Sequence, residues 1–296
     1  MLKLQTFVRR SYQTSRFKFV PIPKNSSDLD QNLLAQKPNH NMTTPADNET
    51  VYSNQDWTRR WEDGTSSWHS NDLRQNLIDL VKNNATPKPL SGRIFVPLCG
   101  ASLEMKALAE IPEVTEVIGI ELSRLAIDKF FNEYYTPTQE NPTQENYKVY
   151  TREQVNSKTI VHSAGKIKIY EADLFEKGSD SWVNLEFRKN GHSPFNLIFD
   201  RASLVAINWS DREKYVDLMV ELLGENKKNM SYFLQGFEYP VGNWPGPPHI
   251  VNEKTVQQLF AKKFKNIKLL ASDSEGAKCN SEDGEVFAHN FIMGEQ

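Results

Sequence analysis

An apolar strand runs straight into a glycine turn in Arg93-Ile94-Phe95-Val96-Pro97-Leu98-Cys99-Gly100, and Val117-Ile118-Gly119-Ile120-Glu121-Leu122-Ser123 follows about twenty residues later. Read as strand, turn, helix, strand and terminal acid, this is the front half of a nucleotide-binding βαβ unit. Glycine lets the backbone approach a ligand closely. A carboxylate at the end of the second strand suits a ribose, because its two oxygens can accept hydrogen bonds from two neighbouring hydroxyls. Glu121 is therefore the first candidate binding residue.

Further strand-length apolar runs occur at Lys166 to Ala172, Phe195 to Asp200, Ser231 to Phe237, Asn266 to Ala271 and Val286 to Met293. Helical periodicity lies between them, over Leu103 to Glu110, Ser123 to Tyr135, Asp211 to Leu223 and Glu253 to Phe264. Such alternation predicts a buried, mostly parallel sheet with helices on both faces. After residue 264 two strands come without a helix between them, which predicts a C-terminal antiparallel hairpin. Ser210 with Glu213 has the spacing of a capping box, Ser123 and Asn252 are expected N-caps, and Gly224 is an expected left-handed stop. The stretches 136–165 and 176–194 are expected to be loop insertions.

The first 24 residues carry Lys3, Arg9, Arg10, Arg16, Lys18 and Lys24 among hydroxyl and aromatic residues, with no acid before Asp28. That pattern is expected of a mitochondrial (matrix) transit peptide, the alternative being a basic disordered tail on a cytoplasmic protein. Residues 25–50, rich in Asn, Gln, Ser, Thr and Pro, read as a disordered linker, so the folded domain is expected over 51–296. Seven bases and four acids precede residue 50, leaving 28 bases and 34 acids, a net charge of −6. An acidic body without a basic stripe argues against a nucleic-acid partner. No run of eighteen apolar residues is present to span a membrane. Two cysteines and six unclustered histidines predict free thiols and no metal site.

In an open α/β sheet, ligands bind beyond the carboxyl ends of the strands. The residues there are Leu98 to Gly100, Glu121, Asp173, Asp200 with Arg201, and Gln235 to Tyr239. The first loop has one glycine where a pyrophosphate-binding fingerprint has three, which points away from NAD and towards a nucleotide without phosphates, S-adenosylmethionine. Cys99 reads as a small buried thiol and not as a nucleophile. Trp57 and Trp61 share a helix face four residues apart, with Trp68 close behind. They form either an ordinary cover helix or a lid whose aromatic faces attract a sulfonium and shut out water. The proline-rich segment Tyr239 to Pro248 is expected to be a stiff loop beside the pocket.

Five motifs then resemble, in order, those of thiopurine S-methyltransferases. They are Trp57-x-x-x-Trp61-x-x-Gly64-x-x-x-Trp68-His69; Phe95-Val96-Pro97-Leu98-Cys99-Gly100 with Glu104-Met105-Lys106; Val117 to Ser123; Asp200-Arg201-Ala202-Ser203-Leu204-Val205-Ala206-Ile207-Asn208; and Pro245-Gly246-Pro247-Pro248. The resemblance implies a class I methyltransferase with a seven-stranded, Rossmann-like sheet and S-adenosyl-L-methionine as cofactor, giving S-adenosyl-L-homocysteine. It implies that Trp57, Trp61, Leu98, Gly100, Glu121, Asp173, Leu174 and Arg201 bind the cofactor, and that Trp68 and Arg201 contact a small-molecule thiol. Trp68 stands where the family usually has phenylalanine. Arg201 would stabilise an anionic acceptor, oriented by Asp200. The expected protein is a monomeric S-methyltransferase, with sulfide or selenide methylation, or a cofactor-binding homologue without turnover, as alternatives.

Overall fold

The computed structural model describes residues 50–135, 150–189, 194–224, 229–240, 246–278 and 285–295. The segment expected to be a transit peptide, all but the end of the expected linker, Cys279, and residues 241–245 of the proline-rich segment lie outside them.

The chain folds in the order α1 (Asn54–Glu62), α2 (Gln75–Asn84), β1 (Gly92–Val96), α3 (Leu103–Ala109), β2 (Val114–Glu121), α4 (Arg124–Tyr135), β3 (Thr151–Gln154), β4 (Ile160–Ala164) and β5 (Ile167–Glu171). There follow a short turn α5 (Trp182–Asn184), β6 (Leu197–Arg201), α6 (Arg212–Leu222), β7 (Ser231–Glu238), α7 (Glu253–Phe260), β8 (Asn266–Lys278) and β9 (Glu285–Gly294). The strands form one sheet in the order β3-β4-β5-β2-β1-β6-β7-β9-β8. The pairs from β5 to β7 are parallel, and β9 lies antiparallel between β7 and β8. All seven expected strands are present.

Two further strands, β3 and β4, arise inside the stretch expected to be a loop insertion. They pair antiparallel with each other, and β4 pairs antiparallel with β5. The difference has a physical cause. All four residues of β3 are exposed, so the strand carries no apolar alternation to announce it.

Alternation about the sheet plane divides the core in two. On one face Phe95, Ile198, Tyr232 and Leu234 pack under α5, α6 and α7; on the other Ile94, Val96, Phe199 and Phe233 pack under α2, α3 and α4. Phe95 stacks on Trp182 with ring centroids 5.1 Å apart, and Phe199 stacks on Phe233 at the same spacing. The central strands are buried on both faces, which is why they read as nearly unbroken apolar runs.

The helix ends test the capping expectations. Asn252 accepts the amide hydrogen of Thr255 at 3.1 Å, and Gly224 takes φ +73° after α6. Ser210 makes no capping box: it lies in a 3-10 turn, Trp209–Asp211, and α6 begins at Arg212. That turn brings the Asp211 amide to the Asn208 carbonyl and moves the helix start past Ser210. Ser123 stands directly before α4, but among the described residues its hydroxyl has no hydrogen-bond partner, and its amide is taken by Glu121.

Candidate active site

The strand exits of β1, β2, β5, β6 and β7 converge on one cleft, roofed by α1 and the segment after it. At the exit of β1 the backbone turns through positive φ at Leu98 (43°) and Gly100 (53°). Leucine rarely adopts that conformation, so the loop stores strain where it meets the cleft. It is anchored by the Cys99 amide on the Ile120 carbonyl at 2.9 Å and the Ser203 hydroxyl on the Pro97 carbonyl at 2.7 Å, as well as through Gly100. A β-carbon on Gly100 would sit 3.3 Å from the Trp61 indole, so glycine leaves the clearance that lets the roof close on the loop. Cys99 packs behind, its sulfur 2.6 Å from where a β-carbon on Gly119 would sit. Burial, followed by the charge of Glu121, pushes its thiol far up, which suits a structural thiol and not a nucleophile.

Glu121 ends β2 inside the cleft. Its Oε2 accepts the Gly100 amide at 2.9 Å and its Oε1 accepts the Ser123 amide at 2.7 Å. One backbone donor per oxygen leaves each with acceptor capacity to spare. Burial raises its pKa, opposed by these backbone hydrogen bonds. Asp173, at the exit of β5, accepts the Phe175 amide on Oδ1 and the Asn54 side chain on Oδ2, both at 2.8 Å. It therefore joins the sheet to the roof helix, with Leu174 beside it in the cleft wall.

The roof is built by short-range rules. Ser53 and Asp56 form a reciprocal capping box that starts α1. Trp57 and Trp61 then fall on one face, and Trp68 meets both edge-on, at 5.3 and 6.0 Å. Arg60 lies over the Trp68 ring at 5.2 Å and donates to the Tyr52 hydroxyl at 2.8 Å. Asn208, after β6, grips the backbone of Tyr52 from both sides: its Oδ1 accepts from the amide at 3.1 Å and its Nδ2 donates to the carbonyl at 2.9 Å. The wall opposite includes Gln235 and Phe237 of β7 together with Pro247 and Pro248.

Asp200 and Arg201 part company at the end of β6, because consecutive strand residues point to opposite faces. Arg201 lines the cleft. Asp200 is fully buried on the other face, accepting from the Tyr215 and Tyr232 hydroxyls at 2.8 and 2.7 Å and from the Ser203 and Leu204 amides. Ala202, at φ +62°, turns the chain back so that those amides reach it. The expected orienting role of Asp200 is thus corrected: it fastens the loop and the α6 side of the core. Facing Arg201 is Glu104 of α3, its Oε1 3.7 Å from the guanidinium Nε. Burial raises the Glu104 carboxyl, but Arg201 and the Ser102 hydroxyl outweigh it and hold the group below its ordinary 4.5.

Sequence reasoning assigned no role to Glu104, Asn54, Asn208, Arg60 or His69, although all but Asn54 lie inside quoted motifs. For Glu104, Asn54 and Asn208 spacing carries no signal, since each acts on a partner distant in the chain. His69 lines the cleft beside Trp61, ring centroids 5.5 Å apart.

A family model for thiopurine S-methyltransferase matches residues 52–290. The chain is 32% identical over 221 residues to a probable thiopurine S-methyltransferase of Danio rerio, covering 73% of this chain and 83% of that protein. It is 30% identical to the thiopurine S-methyltransferase of Panthera leo over 217 residues, covering 73% and 79%. Among solved structures, a methyltransferase of Anabaena variabilis described as SAM-dependent superposes with a TM-score of 0.50 at 14% identity, covering 86% of this chain and 99% of that one.

Proposed function

Because the chain belongs to the thiopurine S-methyltransferase family and uses S-adenosylmethionine, we propose that it methylates the sulfur of a small aromatic or heterocyclic thiol. The observation that carries this reading is the placement of Glu121 and Arg201 in one cleft under three tryptophans.

The residues present fit the cofactor. Glu121 has acceptor capacity left on both oxygens for a diol, Gly100 leaves the clearance a side chain would fill, and Trp57, Trp61 and Trp68 offer the aromatic faces a sulfonium prefers. Leu98, Asp173 and Leu174 complete its cradle. When bound, the sulfonium supplies an electrophilic methyl group. The chain's own work is to position and to desolvate. Arg201, a permanent cation, holds an anionic sulfur nucleophile in line, and Glu104 fixes the guanidinium. The roof excludes water, which strengthens that attraction. Aromatic thiols ionise near neutral pH, so holding the thiolate supplies much of the acceleration.

The test is a panel of thiophenols, heteroaromatic thiols, sulfide and selenide incubated with methyl-labelled cofactor. Labelled aryl methyl sulfides are the expected product. Label passing only to sulfide or selenide would replace this acceptor with a smaller one, and cofactor binding without any labelled product would remove the enzymatic reading. The composition of residues 1–24 supports a mitochondrial location, and import of the full chain into isolated mitochondria, with shortening, checks it.

A further inference from the structure

The cleft is lined by a histidine that the reading above leaves unused. His69 is half-buried in the wall with its Nε2 2.9 Å from the side-chain oxygen of Asn71. An amide oxygen only accepts, so Nε2 carries the ring hydrogen and Nδ1 keeps its lone pair. Among the described residues no hydrogen bond reaches Nδ1. The ring is also fixed in place, packed against Trp61. A neutral imidazole, held by one nitrogen, unbonded at the other among the described residues and lining the same cleft as Arg201, has the makings of a general base.

We propose that His69 Nδ1 takes the S–H proton of an acceptor that reaches the cleft as a neutral thiol, so that the site serves weakly acidic thiols as well as preformed thiolates. This rests on the sulfur-acceptor reading. The S–H bond breaks with its pair left on sulfur, and that pair forms the new bond to the methyl carbon. The donor's own carbon–sulfur bond breaks towards the donor sulfur, leaving it neutral, and Nδ1 later returns the proton to solvent. Arg201 alone cannot do this, because a guanidinium attracts a thiolate but accepts no proton.

The charged groups around the ring agree. Burial lowers the His69 pKa below 6.5, Lys129 of α4 and Arg201 of β6 lower it further, and the Asn71 hydrogen bond and Glu133 of α4 pull the other way. The imidazole is therefore neutral, and able to accept, at pH 7.

Two acceptors separate this role from a structural one: 4-nitrothiophenol, ionised at neutral pH, and benzyl mercaptan, still protonated. In the full chain, His69→Gln keeps a donor for Asn71 and removes the base. The ratio of kcat/KM for benzyl mercaptan to that for 4-nitrothiophenol should fall roughly 100-fold at pH 7. The variant's benzyl mercaptan rate should then follow the thiol's own ionisation. Side-chain nitrogen NMR of the full chain without cofactor should show the Nε2–H form of His69 with a midpoint below 6.5. Equal losses for both acceptors, an unchanged ratio, or an Nδ1–H form would each overturn the role. If the unsubstituted protein methylates neither thiol, the sulfur-acceptor reading fails; if it methylates both and only the ratio stays fixed, that reading stands and His69 alone is rejected.

Discussion

Glu121 ties Gly100 to Ser123: one carboxylate accepts the amide of the first loop at 2.9 Å and the amide that starts α4 at 2.7 Å. The residue expected to grip a ribose thus also sets the shape of the cradle around it. Glu121→Gln would turn an amide N–H₂ towards one of those backbone donors. Affinity for S-adenosylhomocysteine should fall roughly 10- to 100-fold, or about 1.4–2.8 kcal/mol, by calorimetric titration. Unaltered binding heat and affinity would move the sugar contact elsewhere.

Glu104 makes the protein's stability acid-sensitive in a definite direction. Its folded pKa lies below 4.5, so it adds stability above that value and gives it up as pH falls through the lower folded one. Glu104→Gln should be less stable at pH 7 by roughly 2 kcal/mol, the scale of hydrogen bonds to a charged group. The gap from the unsubstituted protein should narrow below pH 4.5. Urea unfolding at both pH values measures this, and parallel pH profiles would count against the pairing with Arg201.

Asp200 and Arg201 should fail in different ways. Asp200→Ala leaves the buried Tyr215 and Tyr232 hydroxyls and two amides without their acceptor, and a loss of about 3–5 kcal/mol is expected. Arg201→Ala should leave a folded protein whose KM for an anionic thiol rises about tenfold or more while cofactor affinity changes less. Thermal unfolding beside steady-state kinetics separates the two. An Asp200→Ala protein as stable as the parent, with slowed chemistry, would restore the acid to a direct role.

Asn208 holds the roof by two hydrogen bonds to the Tyr52 backbone. Asn208→Ala should weaken closure by roughly 1–2 kcal/mol and raise the KM for cofactor several-fold. Amide hydrogen exchange should quicken over residues 54–62 while β1 and β6 stay protected. Uniform protection in the variant would show that the tryptophans alone keep the roof down.

How much of this could be read in advance depended on how local the physics is. The parallel strands were legible because burial on both faces demands apolar runs, and the glycine turn with Glu121 because its spacing follows from a strand, a helix and a strand. Trp57, Trp61 and Trp68 were legible as a cluster for the same reason. The pairing of Arg201 with Glu104 was not, since it depends on which face each side of β6 presents once the sheet has formed. Neighbours in the chain, Asp200 and Arg201 suggested a working pair; in space the strand drives them apart. The capping box at Ser210 was displaced by a turn that no propensity at that position predicts. β3 was invisible because a fully solvated strand has nothing to alternate.

That strand has a consequence at the rim. The sheet ends on four residues, Thr151 to Gln154, all solvated and two of them charged, Arg152 and Glu153. So short and hydrophilic a border offers a neighbouring molecule little to add a strand to, and on this side it guards against end-to-end polymerisation into fibres.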